Sequence, residues 1–308
     1  MELVISTLEQ GMIYGIMALG VYITYKILDF PDLTVDGSFP LGASVTAILI
    51  TKGVPALLTL PVCFLVGALA GVCTGLIHVK LKVRDLLSGI IMMTALYTVN
   101  LRIAGRANLP FYKESTVFDN RVVNRFFESG FGTALAPWRT VLVMVLITAV
   151  VKLFLDGYLK TGSGYLLRAV GDNPSIVTAM GQDRGKIKIL GLAVSNGLVT
   201  LAGCLFAQQQ RFFEISSGTG AVVIGLASVI IGTSLYRRLE STGKLSGILH
   251  SMRIGMLTLS VLAGSVIYKA CISAALHFAD PKDLKLITAV LFLIVLVVSM
   301  ERKGKKHA

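Results

Sequence analysis

Residues 55–78 read PALLTLPVCFLVGALAGVCTGLIH, with no Asp, Glu, Lys or Arg among them. At 1.5 Å per residue, a helix of this length reaches roughly 36 Å, enough to cross the roughly 30 Å hydrocarbon core of a bilayer. Comparable apolar stretches lie near residues 3–26, 38–51, 86–104, 138–156, 187–208, 219–235, 252–275 and 284–300. Together they predict nine transmembrane helices, with eight or ten also compatible. The two-residue alternation of a membrane barrel is absent. The expected fold is all-α, a polytopic transmembrane helical bundle forming a single domain over residues 1–308.

The composition agrees. Of 308 residues, 54% are hydrophobic and 15% charged, with a mean hydropathy of +0.77, whereas soluble domains carry roughly a quarter charged residues. The net charge of +12 does not point to nucleic acid, because the basic residues sit in short connections rather than among aromatics. Lys80, Lys82 and Arg84, then Lys160, Arg168, Arg184, Lys186 and Lys188, then Arg237, Arg238 and Lys244, and finally Arg302, Lys303, Lys305 and Lys306, all fall on one side if the spans alternate. By the positive-inside rule that side is cytoplasmic, C-terminus included. The first ten residues lack a basic leader and carry Glu2 and Glu9, which argues against a cleavable secretory signal. Cys63, Cys73, Cys204 and Cys271 lack metal-site spacing and read as small core residues.

One segment of the basic side is punctuated. Within a connection over residues 161–186, Asp172 or Asn173 is placed to cap a helix, Pro174 suits its first position, and Gly181 suits the left-handed residue past its end. The spacing predicts a helix of about two turns. Ile176, Val177, Ala179 and Met180 cannot bury themselves in so short an element. Such a helix docks either on its own protein or on a partner.

Other polar residues mark candidate stretches of a translocation pathway. Residues 29–40 place Asp29, Asp32 and Asp36 with Pro31 and Pro40 directly after a span. This is either a cytoplasmic turn or the entry to a pore-lining broken helix, since irregular backbone at membrane depth survives only against protein or a water-filled cavity. Asp36 and Ser38 are the side chains such an entry would present. Glu9, Asn100 and Arg102 are costly in lipid, although Glu9 and Arg102 read as interfacial residues that snorkel. Gln208 and Gln209, in an outward turn with Phe212 and Phe213, suit either an external mouth or an ordinary polar connection. The outer loop over 105–137 mixes Arg106, Lys113, Arg121 and Arg125 with Glu114, Asp119 and Glu128, and suits either a partner or solvent. Glycines recur at packing intervals, at Gly67, Gly71 and Gly75 and at Gly11 and Gly15, and general helix packing is expected of them.

Enzyme signatures are missing. No HExxH, GxSxG or Gly-rich strand-turn-helix occurs, and the four histidines are scattered, so neither catalytic nor metal-ligating residues are expected. Thr242-Gly243-Lys244-Leu245 resembles the end of a Walker A loop, but Leu245 stands where Ser or Thr is required.

The pattern of Arg168-Ala169, Asp172, Ala179 and Gly181 resembles the cytoplasmic coupling segment of bacterial ABC importer permeases. Residues 11–20 with 29–42, and residues 220–232, extend the likeness to the branched-chain amino acid and ribose permease superfamily. Residues 33–43 and 105–110 resemble its branch paired with tryptophan- or tyrosine-type binding proteins. The usual branched-chain members carry an Asn-Phe-Ala-His-Gly-Glu run where this chain has Asp29-Phe30-Pro31 and Asp36-Gly37-Ser38. The resemblance implies two permease copies, two cytosolic ATPase subunits that hold ATP and magnesium, an extracytoplasmic binding protein, and an aromatic or related amino acid as cargo, in the plasma membrane. It also implies that residues 172–181 meet the ATPase, flanked by Arg168 and Arg184. A stand-alone secondary transporter or channel is the rival reading, and would need mid-span ionisable relays or inverted repeats.

Overall fold

A computed structural model describes residues 2–120, 123–125, 137–241, 250–278 and 283–304. The expected charges Arg121, Glu128, Lys244, Lys305 and Lys306, the motif at 242–245 and most of the outer loop beyond Asn120 lie outside the described residues. The described chain is helical nearly throughout. Helix α1 (Glu2–Tyr22) runs into a π-helical turn (Ile23–Ile27), followed by α2 (Val35–Thr51), α3 (Ala56–Val79) and α4 (Asp85–Ala104). Then come β1 (Asn108–Pro110), α5 (Arg139–Leu159), α6 (Gly162–Asp172), α7 (Pro174–Ala179) and α8 (Arg184–Gln210). The chain closes with β2 (Phe212–Glu214), a 3-10 turn (Ile215–Gly218), α9 (Ala221–Ser241), α10 (His250–Phe278) and α11 (Leu284–Gly304).

Seven of these segments are long and apolar enough to cross a membrane: Glu2–Ile27, Ala56–Val79, Asp85–Ala104, Arg139–Leu159, Arg184–Gln210, Ile215–Ser241 and Arg253–Leu276. Val35–Thr51 and Leu284–Ser299 are apolar but shorter. All nine expected spans therefore coincide with helices, while length and hydropathy by themselves support seven. The outer helices turn leucines and other apolar residues outward, among them Leu65 and Leu69 of α3, Leu153 and Phe154 of α5, and Leu286 and Leu293 of α11. Water would penalise such surfaces; hydrocarbon does not.

Helix α8 runs through the centre, buried along most of its length, between α1, α2 and α3. Its approach to α3 depends on the glycine stripe. A Cβ on Gly67 would overlap Thr200 and the Asn196 carbonyl, one on Gly71 the Leu192 carbonyl, and one on Gly75 would meet Ile189 at 2.9 Å. Gly11 and Gly15 serve α10 in the same way, against Val266 and Leu262. Close backbone approach replaces the hydrophobic drive that lipid does not supply.

The two ends of the bundle differ. At one end the termini of α3, α5 and α9 gather with the starts of α8 and α10: Lys188 Nζ lies 3.5 Å from His78 Nε2, and Arg253 lies 3.9 Å from Glu240. At the other, β1 and β2 pair antiparallel with Leu109 opposite Phe213. There Asp119 accepts from Arg211 Nη2 at 3.1 Å and from Arg139 Nη2 at 3.3 Å. Hydrogen bonding from Asn124 and Arg211, reinforced by the Arg139 charge, holds the Asp119 carboxyl below the usual carboxylate range. A lowered folded value means that this clamp contributes above the unfolded carboxylate pKa of about 3.9 and is lost as the pH falls through the folded value. Amide exchange over 108–120, corrected for intrinsic rate, is expected to be unchanged between pH 7 and 5 and to quicken below about 4.

Cys63 and Cys204 are buried as expected, but Cys73 and Cys271 are exposed, on faces that apolar surroundings other than this chain must cover. Glu9 also departs from its interfacial reading. It is 8% exposed and accepts from Gln209 Nε2 at 3.0 Å, so a partner inside the protein takes the place of water. Arg102 stays exposed.

Candidate functional site

After the π-helical turn, the stretch leading to α2 is irregular and largely buried. Phe30, Asp32 and Thr34 are 1%, 5% and 0% exposed, and Asp29 adopts a left-handed φ of 51°. Buried irregular backbone and an acid need partners, and α8 and α3 provide them. Asn196 Nδ2 donates to Asp32 Oδ2 at 2.8 Å, and Asn196 Oδ1 accepts from Ser38 Oγ at 2.7 Å. Thr34 N donates to Asp32 Oδ1 at 2.9 Å, Thr34 meets Thr74 at 3.0 Å, and Thr200 Oγ1 donates to the Ser38 carbonyl at 3.1 Å. Residues 29–34 thus form an irregular turn that exposes Asp29 and Pro31 and buries Phe30, Asp32 and Thr34 against α8 and α3. Sequence reasoning passed over Asn196, although an amide in the middle of the uncharged run from Ile189 to Phe206 was a usable signal.

Asp36, in the first turn of α2, holds a second irregular element in place. Its Oδ1 accepts from Val222 N at 2.9 Å and its Oδ2 from Gly220 N at 3.2 Å, so it caps α9 from another helix. Gly220 sits at φ 84° and has no side chain with which to cap α9 locally. Pro40 leaves the Asp36 carbonyl without its usual helical donor, and Gly218 passes so close that a Cβ there would overlap that oxygen. Removing a cap of this kind costs about 0.5–2 kcal/mol. Asp36→Ala is expected to lower the thermal midpoint of the purified protein, and Asp36→Asn to lower it less, because the amide oxygen can still accept from one of the two N–H groups while its Nδ2 cannot.

Between α2, α4 and the 3-10 turn lies a cavity of about 390 Å³. Asp36 and Asn100 both line it, together with Met93, Tyr97, Ile215 and Thr219. Asn100 is completely buried. Its Nδ2 donates to the Gly37 carbonyl at 3.0 Å, and its Oδ1 has no partner among the described residues. An unmet buried acceptor costs about 1–3 kcal/mol, so a water, an ion or a ligand group that met it would be stabilised there. Ser38 lies behind this wall, in the polar network.

Gln208 and Gln209 lie elsewhere. Gln208 Oε1 accepts from Val117 N at 2.9 Å while its Nε2 donates to Thr59 Oγ1 at 2.9 Å, so it ties the loop after β1 to α3. Gln209 pairs with Glu9, as above. Neither lines the cavity.

At the basic end, residues 161–186 form two helices where one was expected. The added helix α6 is capped by Thr161, whose Oγ1 accepts from Gly164 N at 3.4 Å, and it buries Leu167 and Val170. Asn173 caps α7 by accepting from Ser175 N at 3.0 Å, Asp172 closes α6, and Gly181 adopts φ 74°. Helix α7 divides its apolar residues between two faces. Val177 is wholly buried in the protein, whereas Ile176 and Met180 are 54% and 64% exposed; Ala179 is exposed too. Arg168 is engaged within the chain, donating to the Leu159 carbonyl at 3.1 Å and stacking 4.5 Å over Tyr165, with Ala169 beside it half-buried. Arg184 is exposed at the start of α8, where Asp183 caps by accepting from Gly185 N at 2.8 Å.

Helix α6 packs directly on the π-helical turn. A Cβ on Gly171, near the end of α6, would overlap the Ile27 carbonyl of the π-helical turn. The α6–α7 unit therefore rests directly on the irregular backbone that leads into Asp32 and Asp36.

Irregular backbone satisfied inside a lipid-facing bundle, a cavity beside it and an exposed capped helix at one end are features that a multi-pass membrane transport subunit would use. The family model for the branched-chain amino acid transport system permease component matches residues 3–300. The chain belongs to that family of ABC-type permeases. It is 40% identical, over 294 residues covering 95% of this chain and 90% of the relative, to a tyrosine transport system permease protein of Clostridioides difficile (strain R20291). It is 27% identical over 281 residues, 88% of each chain, to a probable branched-chain amino acid transport permease protein of Methanocaldococcus jannaschii. It is also 26% identical over 233 residues, 75% of this chain and 69% of the relative, to a ribose import permease protein of Haemophilus influenzae. No solved structure matches the chain.

Proposed function

We propose that the chain is the membrane-spanning subunit of an ATP-driven importer for an aromatic amino acid, with tyrosine the first candidate. Its nine helical spans, seven long and two short, form one permease domain in the plasma membrane, with the basic end and the C-terminus cytoplasmic. Two copies pair, ATP and magnesium are held by separate cytosolic ATPase subunits, and an extracytoplasmic binding protein delivers the cargo to the opposite end. Exposed Tyr97 on α4, at 56%, lies on a wall that a second copy would complete.

The observation that carries this reading is the division of α7. A six-residue helix that buries Val177 in its own protein and presents Ile176 and Met180 outward is built to dock a second surface. Motion there reaches the transport path through Gly171 and Ile27, then through the polar network to Asp36 and the start of α9. Nucleotide binding in a partner would bias the packing of the elements on this route.

The 40% identity to a tyrosine permease supports the substrate. The test is uptake of labelled tyrosine into proteoliposomes holding the permease, its ATPase and its binding protein. Uptake is expected to require ATP and all three components, and to persist when proton and sodium gradients are collapsed. Uptake that follows an ion gradient without ATPase would establish the stand-alone transporter instead.

A further inference from the structure

We propose that the cavity between α2, α4 and the 3-10 turn is a subsite for a primary ammonium group, with Asn100 Oδ1 as its principal acceptor. The proposal rests on the reading of the chain as an amino-acid permease, and assigns one end of the substrate to named atoms.

The chemistry of the wall is one-sided. Donation from Asn100 Nδ2 to the Gly37 carbonyl at 3.0 Å sets the orientation of the amide, because a flipped amide would put two oxygens face to face. The remaining oxygen is an acceptor without a partner. Asp36 adds a carboxylate to the same wall. Its oxygens already hold the Gly220 and Val222 amides, so the positive end of α9 is answered from within and has little left to attract an anion. Ser216 donates its hydroxyl hydrogen to Glu214, leaving its own oxygen free to accept, and a second buried orphan, Ser217 Oγ, lies on the same turn. None of the residues lining the cavity is Lys, Arg or His.

A cation-free wall that is largely apolar but carries a carboxylate and an unmet amide oxygen suits a group with three donors and a positive charge. It disfavours a carboxylate and offers no advantage to a neutral sugar. The exposed Tyr97 ring adds a face of the kind that attracts ammonium, and Met93, Pro40 and Ile215 leave apolar surface for a side chain. A volume of about 390 Å³ falls within the roughly 300–1,000 Å³ typical of small-molecule sites.

The test uses the full permease–ATPase complex carrying Thr94→Cys, a reporter on the cavity wall, with Cys73 and Cys271 changed to Ser because both are exposed. Alkylation of the reporter is measured against tyrosine, tyramine, which keeps the ammonium and lacks the carboxylate, and 3-(4-hydroxyphenyl)propionate, which has the reverse. Tyrosine and tyramine are expected to protect, and the propionate to need at least tenfold higher concentration. Asn100→Leu, of similar size, is expected to weaken tyramine protection at least tenfold. Equal protection by the propionate, or unchanged tyramine protection in Asn100→Leu, overturns the proposal. The ligand series on the chain with native Asn100 stands even if Asn100→Leu does not fold. Failure here alongside intact ATP-dependent tyrosine uptake removes the subsite and leaves the permease reading in place, whereas ATP-independent uptake removes the latter.

Discussion

Changing Ile176 and Met180 together to Asp is expected to abolish co-purification of the cytosolic ATPase and to reduce ATP-dependent uptake to background. Both side chains are more than half exposed on α7 and are available for burial in a partner, where each would contribute about 1.5–3 kcal/mol. Replacing them with carboxylates removes that contribution and adds charges that the interface must desolvate. A loss of about 4 kcal/mol corresponds to roughly a thousandfold in affinity. Val177, which fastens α7 to its own protein at 0% exposure, is untouched, as are the Asn173 cap and the left-handed Gly181. The thermal midpoint of the double variant is therefore expected to stay near that of the parent. ATPase binding at parental strength would remove α7 from the docking surface.

Gly171→Ala should separate ATPase docking from transport. The added methyl would occupy the same space as the Ile27 carbonyl oxygen. Because that oxygen belongs to the backbone, relief requires α6 to withdraw from the π-helical turn or the turn to rebuild. Either change alters the tightest backbone approach of α6 to the turn leading into Asp32 and Asp36, while Ile176 and Met180 keep their exposure. The ATPase is expected to co-purify and hydrolyse ATP, with tyrosine uptake per ATP reduced at least tenfold. Parental coupling in Gly171→Ala would show that force travels by another route, for instance through Val177 and α8.

Much of this architecture was legible in the chain because membrane spans follow from local composition. A run such as residues 55–78 has no alternative way to satisfy its backbone in lipid than to form a helix, and neighbours do not enter that argument. The ends of α7 were readable for the same reason, since Asn173, Pro174 and Gly181 act within a few residues of themselves. Helix α6 was less legible. Gly162, Gly164 and Gly171 are poor helix formers, and only packing of Leu167 and Val170 against the bundle makes the segment helical.

The candidate cavity was half visible. Asp36 and Asn100 stood out as polar residues in or beside apolar spans, but nothing in a linear reading brings positions 36, 100 and 220 together, or separates them from Gln208, whose amide is taken up by Val117 and Thr59. Asp36 read as a pathway carboxylate, and its capping of α9 from 184 residues away has no local signature.

By itself the sequence determined that this is a helical membrane protein, where its spans lie, which end collects the positive charge and where a short capped helix interrupts the basic side. Each of these depends on hydropathy, charge or capping over a window of a few to some twenty residues. Only the tertiary structure decided that Asp32 and Thr34 are buried in the turn before α2, that Asn100 is left with an unmet acceptor beside a cavity, and that Gly171 presses on the π-helical turn. Those depend on which helices touch, and in a bilayer contact is chosen by close packing of small residues and by hydrogen bonds between distant positions.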